Sequence, residues 1–354
     1  MGGDRFPAHN RVAYEVLPTL LGVWLLNWRP LLLEACGEVS MLTGMMKKVI
    51  LGTRGSALAL AQTELTKAAL RRVVPDLEVA VEIFVTQGDR KLDLDLRSLP
   101  AGGKGLFTKE LEEALAARRI DVAVHSLKDL PGSMPEGLQL GAVLERAATA
   151  DVLISRHPGG LDGLPRGSSV GTSSVRRARQ LEWLRPDLRA VEWRGNVQTR
   201  LRKLGEQEIF GGILLAQAGL DRLGFHPASG RLQFEKWSFN VSSMGDRMYP
   251  AIGQGAIALQ CQWVRQEVHE LLQRVNHEPT WRAICAEREL QRLLAGDCTL
   301  PVGVRCSPCA EGMRLEALLF EDGQSQPRFA FAEGPAPEQV AAEVARGLGT
   351  PSVT

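Results

Sequence analysis

The fold is decided by the stretch KVILGTRGSALALAQTELTKAALRRV, which occupies residues 48–73. Residues 49–52 form a β-rich apolar run, residues 53–56 a small polar turn, and the apolar positions of residues 57–73 have helical spacing. A change from a short apolar run to helical periodicity predicts a strand followed by a helix. The stretch therefore predicts the first βα unit of an α/β protein.

The same alternation recurs along the chain. Strand-like runs at residues 121–127, 169–171, 190–193 and 212–215 are each followed by a polar turn or by a segment with helical spacing. Successive βα units join through right-handed crossovers into mostly parallel sheets that helices cover on both faces. We therefore predict an α/β fold with mostly parallel sheets.

The domain organisation is predicted from length and from two changes in composition. The chain has 354 residues, more than one domain usually contains. Residues 147–165 are rich in Gly, Pro and Asp, and a second change follows Gln254 and Gly255. The predicted units are an N-terminal extension outside the fold (residues 1–47), domain 1 (48–146 and 251–273), domain 2 (147–250) and a small α+β domain 3 (277–354).

The composition is that of an ordinary globular protein. Hydrophobic residues make up 44% and charged residues 23% of the chain. Lys and Arg number 42 against 41 Asp and Glu, so no global positive field attracts nucleic acid. The six cysteines show no regular disulfide framework, which suits a reducing compartment. We expect a cytoplasmic protein that binds neither nucleic acid nor a membrane.

The apolar run at residues 17–26 raises the question of membrane insertion or export. Pro18 interrupts the run and Arg29 follows it, so it is shorter than the ~20 apolar residues of a spanning helix. Glu34 argues against a lipoprotein-like cleavage site before Cys36. We expect translation to begin at one of three later methionines, Met41, Met45 or Met46.

Basic side chains follow several of the predicted strands. Ligands of open α/β sheets bind beyond the carboxyl ends of the strands, and a cation near a helix N-terminus does not stabilise the helix. Each arginine alone is equally well explained as an ion-paired surface residue, but together they predict a ligand with several carboxylates or phosphates. The arginines are Arg54, Arg176, Arg177, Arg194 and Arg200.

Two further segments carry polar groups at predicted turns. The Gly-rich turn around Lys104 suits an anion, but its spacing is not that of a nucleotide-binding P-loop. The segment HSLKDLP places Lys128 and Asp129 at the end of an apolar strand. There they form either a working carboxylate beside a cation or a structural ion pair before Pro131.

The cysteines offer one candidate thiol. Cys298 lies in a Gly/Asp turn after a predicted helix, where it is either a functional thiol or a buried apolar residue. Cys306 and Cys309 have a CxxC spacing, but no further ligands with zinc-site spacing accompany them. We therefore predict no metal site.

Eight motifs in this order resemble those of the porphobilinogen deaminase family. The resemblance covers the chain from Lys48 to its C-terminal helix, although residues 1–48 and 234–249 do not match the pattern closely. The motifs are LGTRGSALALAQ (51–62), GGKGLFTKELE (102–112), HSLKDLP (125–131), GTSSVRRARQL (171–181), RGNVQTRL (194–201), AGLDRLG (218–224), IGQGA (252–256) and GDCTLPVG (296–303).

The resemblance implies a fold, a reaction and a cofactor. The first two domains would resemble the lobes of a periplasmic binding protein, with the catalytic cleft between them. The enzyme would be a transferase, hydroxymethylbilane synthase, which condenses four porphobilinogen units with loss of ammonia and releases linear hydroxymethylbilane by hydrolysis, a step of tetrapyrrole and heme biosynthesis. The units would add to a dipyrromethane cofactor held by a thioether to Cys298. We expect a monomer whose partner is porphobilinogen.

The resemblance also implies roles for individual residues. Asp129 would be the catalytic residue, and the cofactor would be bound by Cys298, Lys128, Ser173, Arg176 and Arg177. Substrate carboxylates would be bound by Arg54, Ser56, Lys104, Arg194, Arg200 and Arg222.

The chemistry of the substrate agrees with these roles. Each porphobilinogen carries an acetate and a propionate, so a growing chain needs a cluster of fixed cations. The alternative function is a non-catalytic anion-binding protein of periplasmic-binding-protein type, and a nucleic-acid-binding role is weaker because the net charge is near zero. Cys298 and Asp129 distinguish the enzyme from a binder, which needs neither residue.

Overall fold

The structure is a computed structural model that describes residues 46–86, 108–226, 230–294 and 300–349. The strands are β1 (Lys48–Arg54), β2 (Glu78–Phe84), β3 (Val122–Ser126), β4 (Leu138–Val143), β5 (Asp151–Ser155), β6 (Ser169–Gly171), β7 (Arg189–Val191), β8 (Phe210–Ala216), β9 (Arg231–Phe234), β10 (Trp237–Ser243), β11 (Ile257–Gln262), β12 (Val302–Cys309), β13 (Gly312–Leu319) and β14 (Arg328–Gly334).

Helices alternate with many of these strands. They are α1 (Ala57–Val73), α2 (Lys109–Ala116), α3 (Val175–Leu184), α4 (Val197–Glu206), α5 (Gln217–Arg222), α6 (Gln266–Gln273), α7 (Glu278–Leu293) and α8 (Pro337–Gly347). A 3-10 turn, Leu127–Asp129, follows β3 directly. Within the described ranges, no helix is long and apolar enough to cross a membrane.

The first sheet has the strand order β2-β1-β3-β11-β4. β1 pairs in parallel with β2 and β3, whereas β11 pairs antiparallel with β3 and β4. The helix α1 begins after Ser56, whose hydroxyl accepts a hydrogen bond from the Ala59 amide at 3.2 Å. Its buried positions, Thr63, Thr66 and Leu70 among them, follow helical spacing and turn one face towards the sheet.

The second sheet has the order β7-β6-β8-β5-β10-β9. β6 pairs in parallel with β7 and β8, and the pairs that involve β5 and β10 are antiparallel. Its core contains the fully buried side chains of Leu201 on α4, Ile213 on β8 and Phe239 on β10. This sheet and the first one each have their own hydrophobic cluster.

The α/β class is confirmed, but the prediction of mostly parallel sheets is wrong because both sheets are mixed. Residues 144–150 (crossover 1) and residues 244–256 (crossover 2) join the two sheets. β4 runs in the direction of β3, and β5 begins at Asp151 opposite Ala216, the last residue of β8. Each crossover therefore connects the carboxyl edges of the parallel strands, so that β5 and β11 must run back antiparallel to their neighbours.

The third sheet is a small antiparallel meander in the order β12-β13-β14. The helices α7 and α8 pack on it around a separate hydrophobic cluster that includes Leu290, Leu315 and Val344. This unit confirms the predicted C-terminal α+β region.

The domain boundaries stay predictions, and two segments differ from the sequence interpretation. The supposed domain join at residues 147–165 contains β5, in which all five residues are buried. The unmatched segment at residues 234–249 contains β10, which pairs with β5 and β9. β5 is short and wholly buried, so it has neither alternation nor helical spacing by which it could be recognised. β10 does alternate, with apolar Trp237, Phe239 and Val241 between polar residues, and this signal was overlooked. Residues 1–45 of the predicted extension lie outside the described residues.

Candidate active site

The carboxyl edges of the first two sheets face the two crossovers. The Ala147 amide donates a hydrogen bond to the Gly255 carbonyl at 3.1 Å, so the crossovers lie side by side. Gly255 has a φ of 86°, and a Cβ there would lie 2.5 Å from the Ala147 carbonyl oxygen. Only glycine allows this close approach.

Lys128 and Asp129 lie in the 3-10 turn that ends β3. Leu127 and Leu130 on either side are buried, which anchors the turn and leaves Asp129 exposed and Lys128 half-buried. Burial lowers the pKa of Lys128 to about 8; Arg177 acts in the same direction, and Asp129 opposes them. The HSLKD segment thus places a carboxylate beside a lysine whose charge is poorly compensated.

Arg176 and Arg177 lie in the first turn of α3, which Ser174 caps through a hydrogen bond from the Arg177 amide at 3.4 Å. Their side chains are only 5% and 7% exposed, and both pair with Asp151, which is fully buried. The pKa of the Asp151 carboxyl is lowered because these two guanidinium groups outweigh the effect of its burial. Both arginines are therefore held by a charged partner inside the protein.

Arg194, Arg200 and Ser173 occupy the turns beside α3 and α4. The Arg200 Nε donates to the Gly195 carbonyl at 2.7 Å, and burial together with Arg177 lowers the pKa of Arg200 to about 10. Arg194 pairs with Glu192 at 2.6 Å. The Ser173 hydroxyl donates to the Trp193 carbonyl at 2.7 Å.

Arg54, Ser56 and Arg222 lie at the ends of β1 and α5. Arg54 acts electrostatically on His125, whose pKa falls to about 4 mainly because its ring is buried. Ser56 caps α1, so one of its functions is structural. The Arg222 Nη2 donates to the Gly255 carbonyl at 2.7 Å, and burial lowers the pKa of Arg222 to about 10.

Two of the predicted site residues, Lys104 and Cys298, lie outside the described residues. The other predicted residues lie at the carboxyl edges or on the first turns of the helices that follow, except Arg222, which ends α5 and reaches crossover 2 through the Gly255 carbonyl. Electrostatic interactions connect Lys128, Asp129, Arg176, Arg177 and Arg200. The structure therefore brings residues of both sheets into one cluster, which we call the cation cluster.

The cation cluster carries more positive than negative charge. Lys128, Arg176, Arg177 and Arg200 face the carboxylates of Asp129 and Asp151. The lowered pKa values of Lys128 and Arg200 have the same two causes, namely burial and neighbouring cations. In addition, the buried Nε of Arg176 has no hydrogen-bond partner among the described atoms. A ligand with several carboxylates would compensate the excess positive charge and would give the Arg176 Nε a hydrogen-bond acceptor. The cluster therefore fits an anionic cofactor or substrate.

Sequence reasoning missed Asp151 and Gln254. Asp151 accepts hydrogen bonds from both arginines, and Gln254 donates to its Oδ1 at 2.8 Å. The one available signal was an acidic residue directly before the apolar run of β5. Gln254 lies in the IGQGA motif, but nothing local to that motif predicts a partner 103 residues away.

Comparisons with known proteins identify the family. Residues 49–270 match the family model described as "Porphobilinogen deaminase, dipyromethane cofactor binding domain". A porphobilinogen deaminase of Syntrophobacter fumaroxidans is 43% identical over 81% of this chain and 89% of its own length. The one of Syntrophomonas wolfei is 40% identical over 86% and 95%, and the one of Shouchella clausii is 45% identical over 73% and 79%.

Solved structures resemble the chain only loosely. The methionine binding protein MetQ matches with a TM-score of 0.39 and 14% identity over 65% of this chain and 90% of its own. The relatives above support the deaminase function and not the anion-binding alternative. Because the family model spans residues 49–270 and the relatives match along most of their length, the chain belongs to the porphobilinogen deaminase family.

Proposed function

We propose that this chain is a hydroxymethylbilane synthase, a transferase that adds four porphobilinogen units in turn to an enzyme-bound dipyrromethane and then releases the linear product by hydrolysis. The observation that carries the proposal is the cation cluster beside Asp129. Two lowered pKa values and one guanidinium nitrogen without a partner indicate positive charge that the described residues do not fully neutralise. Each porphobilinogen unit would supply two carboxylates to this cluster.

The cofactor would provide the growing end to which each unit is joined. We propose that Cys298 holds it by a thioether and that Lys128, Ser173, Arg176 and Arg177 bind its carboxylates. Arg54, Ser56, Lys104, Arg194, Arg200 and Arg222 would bind the carboxylates of the incoming substrate. A covalently held acceptor makes every addition a reaction within one complex, which lowers the entropic cost of bringing the two groups together.

The position of Asp129 supports its proposed catalytic role. Loss of ammonia from the aminomethyl group of porphobilinogen leaves a cation, which a nearby carboxylate stabilises as it develops. Asp129 is exposed at the end of β3, and its charge acts on both Lys128 and Arg200. Lys128 would orient a cofactor carboxylate and Arg200 a substrate carboxylate, and Asp129 would stabilise the positive charge that forms between them.

The remaining features of the proposal concern the whole chain. We propose that each sheet is the centre of one domain, with the boundaries given by the sequence, and that the protein acts as a cytoplasmic monomer. In the sequence, all strands of the second sheet lie between two strands of the first sheet, since β4 precedes β5 and β11 follows β10. This order supports a division of domain 1 into two segments. The predicted extension of residues 1–47 would end before Met46, because Met46 packs on the hydrophobic cluster of the first sheet and the Lys47 carbonyl accepts a hydrogen bond from the Glu78 amide at 2.9 Å.

The variant Asp129→Asn tests the role of the carboxylate, because it keeps the shape of the side chain and removes its charge. We expect normal folding and cofactor content, with single-turnover release of ammonia slower by about 100-fold or more. Asp162→Asn is the matched control, since Asp162 is an exposed carboxylate paired with Arg247 on the second sheet's side of the chain. Near-normal turnover in Asp129→Asn would remove Asp129 from the chemistry.

A further inference from the structure

Asp151 is the buried carboxylate on which the two cofactor-binding arginines meet. Its Oδ1 accepts hydrogen bonds from the Nε and Nη2 of Arg177 at 3.0 and 2.7 Å. Its Oδ2 accepts one from the Nη1 of Arg176 at 2.7 Å. Its side chain is completely inaccessible to solvent, so the partners of this carboxylate are fixed by the protein.

The two guanidinium groups are used in different ways. The Nε and Nη2 of Arg177 both donate to Asp151, and its Nη1 donates to the Leu214 carbonyl at 3.0 Å. Arg176 is held only through Nη1, which also donates to the Tyr249 carbonyl at 2.5 Å. Its Nε has no partner among the described atoms, and its Nη2 makes no hydrogen bond there either.

This difference matters because a guanidinium group presents two parallel N–H groups to a carboxylate at either of two edges, Nε–Nη2 and Nη1–Nη2, and at Arg176 the second edge is already engaged through Nη1. An unpartnered buried donor costs free energy unless a ligand completes it. The Nε–Nη2 edge of Arg176 therefore has no partner among the described residues, because Asp151 and the Tyr249 carbonyl engage the opposite nitrogen.

Asp151 also connects the arginines to crossover 2. The Gln254 amide nitrogen donates to Asp151 Oδ1 at 2.8 Å and to the Thr149 carbonyl of crossover 1 at 2.6 Å. Asp151 itself begins β5, directly after crossover 1. One carboxylate thus ties the arginines to both segments that join the two sheets.

We propose that Asp151 is a positioning residue for the cofactor: it engages the fork of Arg177 and one end of Arg176, and it thereby holds the Nε–Nη2 edge of Arg176 ready for a cofactor carboxylate. This inference rests on the proposed function, since it concerns the binding of the same cofactor. Asp151 itself touches neither cofactor nor substrate. Its contribution is to orient two cations that would otherwise repel each other.

The test measures how fast the full-length chain, produced in cells that make no porphobilinogen, acquires the cofactor mass when it is supplied with porphobilinogen. We expect Asp151→Asn and Arg177→Lys each to slow this uptake by about tenfold, since each breaks the charged hydrogen bonds that orient the pair. If the two residues act as one unit, the double variant is no slower than the slower single variant. Effects that multiply in the double variant would contradict the proposal.

A second variant covers the case that Asp151→Asn fails to fold. Asp151→Glu keeps the negative charge and moves the carboxylate by one methylene, so uptake should slow although the charge balance is unchanged. Normal uptake with a lowered urea midpoint would mean that Asp151 is structural only, and would overturn the proposal. Asp187→Asn is the matched control, because Asp187 binds the Nε and Nη2 of Arg185 at 2.8 and 2.7 Å outside the cation cluster.

Cofactor uptake by the wild-type chain distinguishes a failure of the positioning role of Asp151 from a failure of the proposed function. If the wild-type chain acquires the cofactor mass while every Asp151 variant does so at the same rate, the positioning role fails and the proposed function stands. If the wild-type chain acquires no mass from porphobilinogen, the proposed function itself fails.

Discussion

Burial and a neighbouring cation disfavour the protonated form of Lys128, which is the form that the proposed function needs. Its pKa falls to about 8 because the side chain is buried and Arg177 lies nearby, while Asp129 and Asp151 oppose that fall. A bound carboxylate would raise the pKa again, so binding is coupled to protonation of Lys128. This coupling gives the binding of the cofactor a definite dependence on pH.

We predict that the cofactor-free chain acquires the cofactor mass more slowly as the pH rises through about 8, the value at which Lys128 without a bound carboxylate loses its proton. The variant Lys128→Gln should acquire the cofactor mass more slowly at low pH and should lose this step in the profile. The matched control is Lys48→Gln, because Lys48 begins β1 at the edge opposite the cation cluster. A step at the same pH in Lys128→Gln would assign the titration to another group.

The contribution of Lys128 to folding stability changes in the opposite direction. An unfolded lysine has a pKa of about 10.4, so the unfolded state binds more protons between about 8 and that value. The folded state therefore bears the cost of a protonated, desolvated Lys128 at low pH, and this cost disappears as the pH rises through this window, while the binding function of the ammonium group is lost. Binding and stability measured on the same samples separate the two effects.

The site residues were predictable from sequence only as far as strand ends were predictable. Arg176, Arg177 and Arg200 follow recognisable strands, and the rule that ligands bind at carboxyl edges brings them together. Asp151 precedes Arg177 by 26 residues and meets it only through the pairing of β5 with β8. No local pattern encodes that contact.

At the scale of elements, amphipathic segments were predicted best. The helix α1 has the bounds that its apolar spacing predicts, Ala57–Val73, and α8 ends within one residue of its predicted limit. β5 was missed because all five of its residues are buried and the surrounding segment is rich in Gly and Pro. Strand direction was also mispredicted, since it depends on which edges the crossovers join rather than on periodicity.

The two crossovers give an element-scale prediction through Gly255. We expect Gly255→Ala to lower the urea midpoint and the kcat, because the new Cβ would lie 2.5 Å from the Ala147 carbonyl oxygen and would force the crossovers apart. Gly137→Ala is the matched control: Gly137 also has a positive φ, 81°, but a Cβ there would meet nothing within 4 Å. The free energy of unfolding of the control should fall only by the cost of placing an alanine in the left-handed region, about 1 kcal/mol.

Equal losses in the two glycine variants would contradict this explanation. They would show that the positive φ alone accounts for the requirement at Gly255 and that the close approach of the crossovers costs nothing. A loss of kcat confined to Gly255→Ala would instead connect the geometry of the crossovers to the cation cluster, since the Gly255 carbonyl also accepts a hydrogen bond from Arg222.

At the scale of the whole molecule, the arrangement explains how a chain of net charge +1 binds a polyanion. Positive charge is concentrated where the carboxyl edges of two sheets face the crossovers, and ion pairs such as Arg185–Asp187 and Arg314–Glu333 balance cations elsewhere. Local concentration of cations in a partly buried cleft strengthens their attraction for carboxylates beyond what net charge would suggest. The fold therefore serves to bring distant segments together at one edge.

The proposed function requires a cofactor built from porphobilinogen to be attached to this chain at Cys298. Of the cysteines in described segments, burial raises the pKa of Cys261 and Cys285 to about 11 and that of Cys306 to about 12, which disfavours their thiolates. The most direct measurement is the intact mass of the purified active protein. We predict a mass that exceeds the sequence mass by two linked pyrrole rings, a complete loss of this excess and of activity in Cys298→Ala, and retention of both in Cys261→Ala. Active wild-type protein without added mass, or a Cys298→Ala variant that keeps the mass and the activity, would contradict the account.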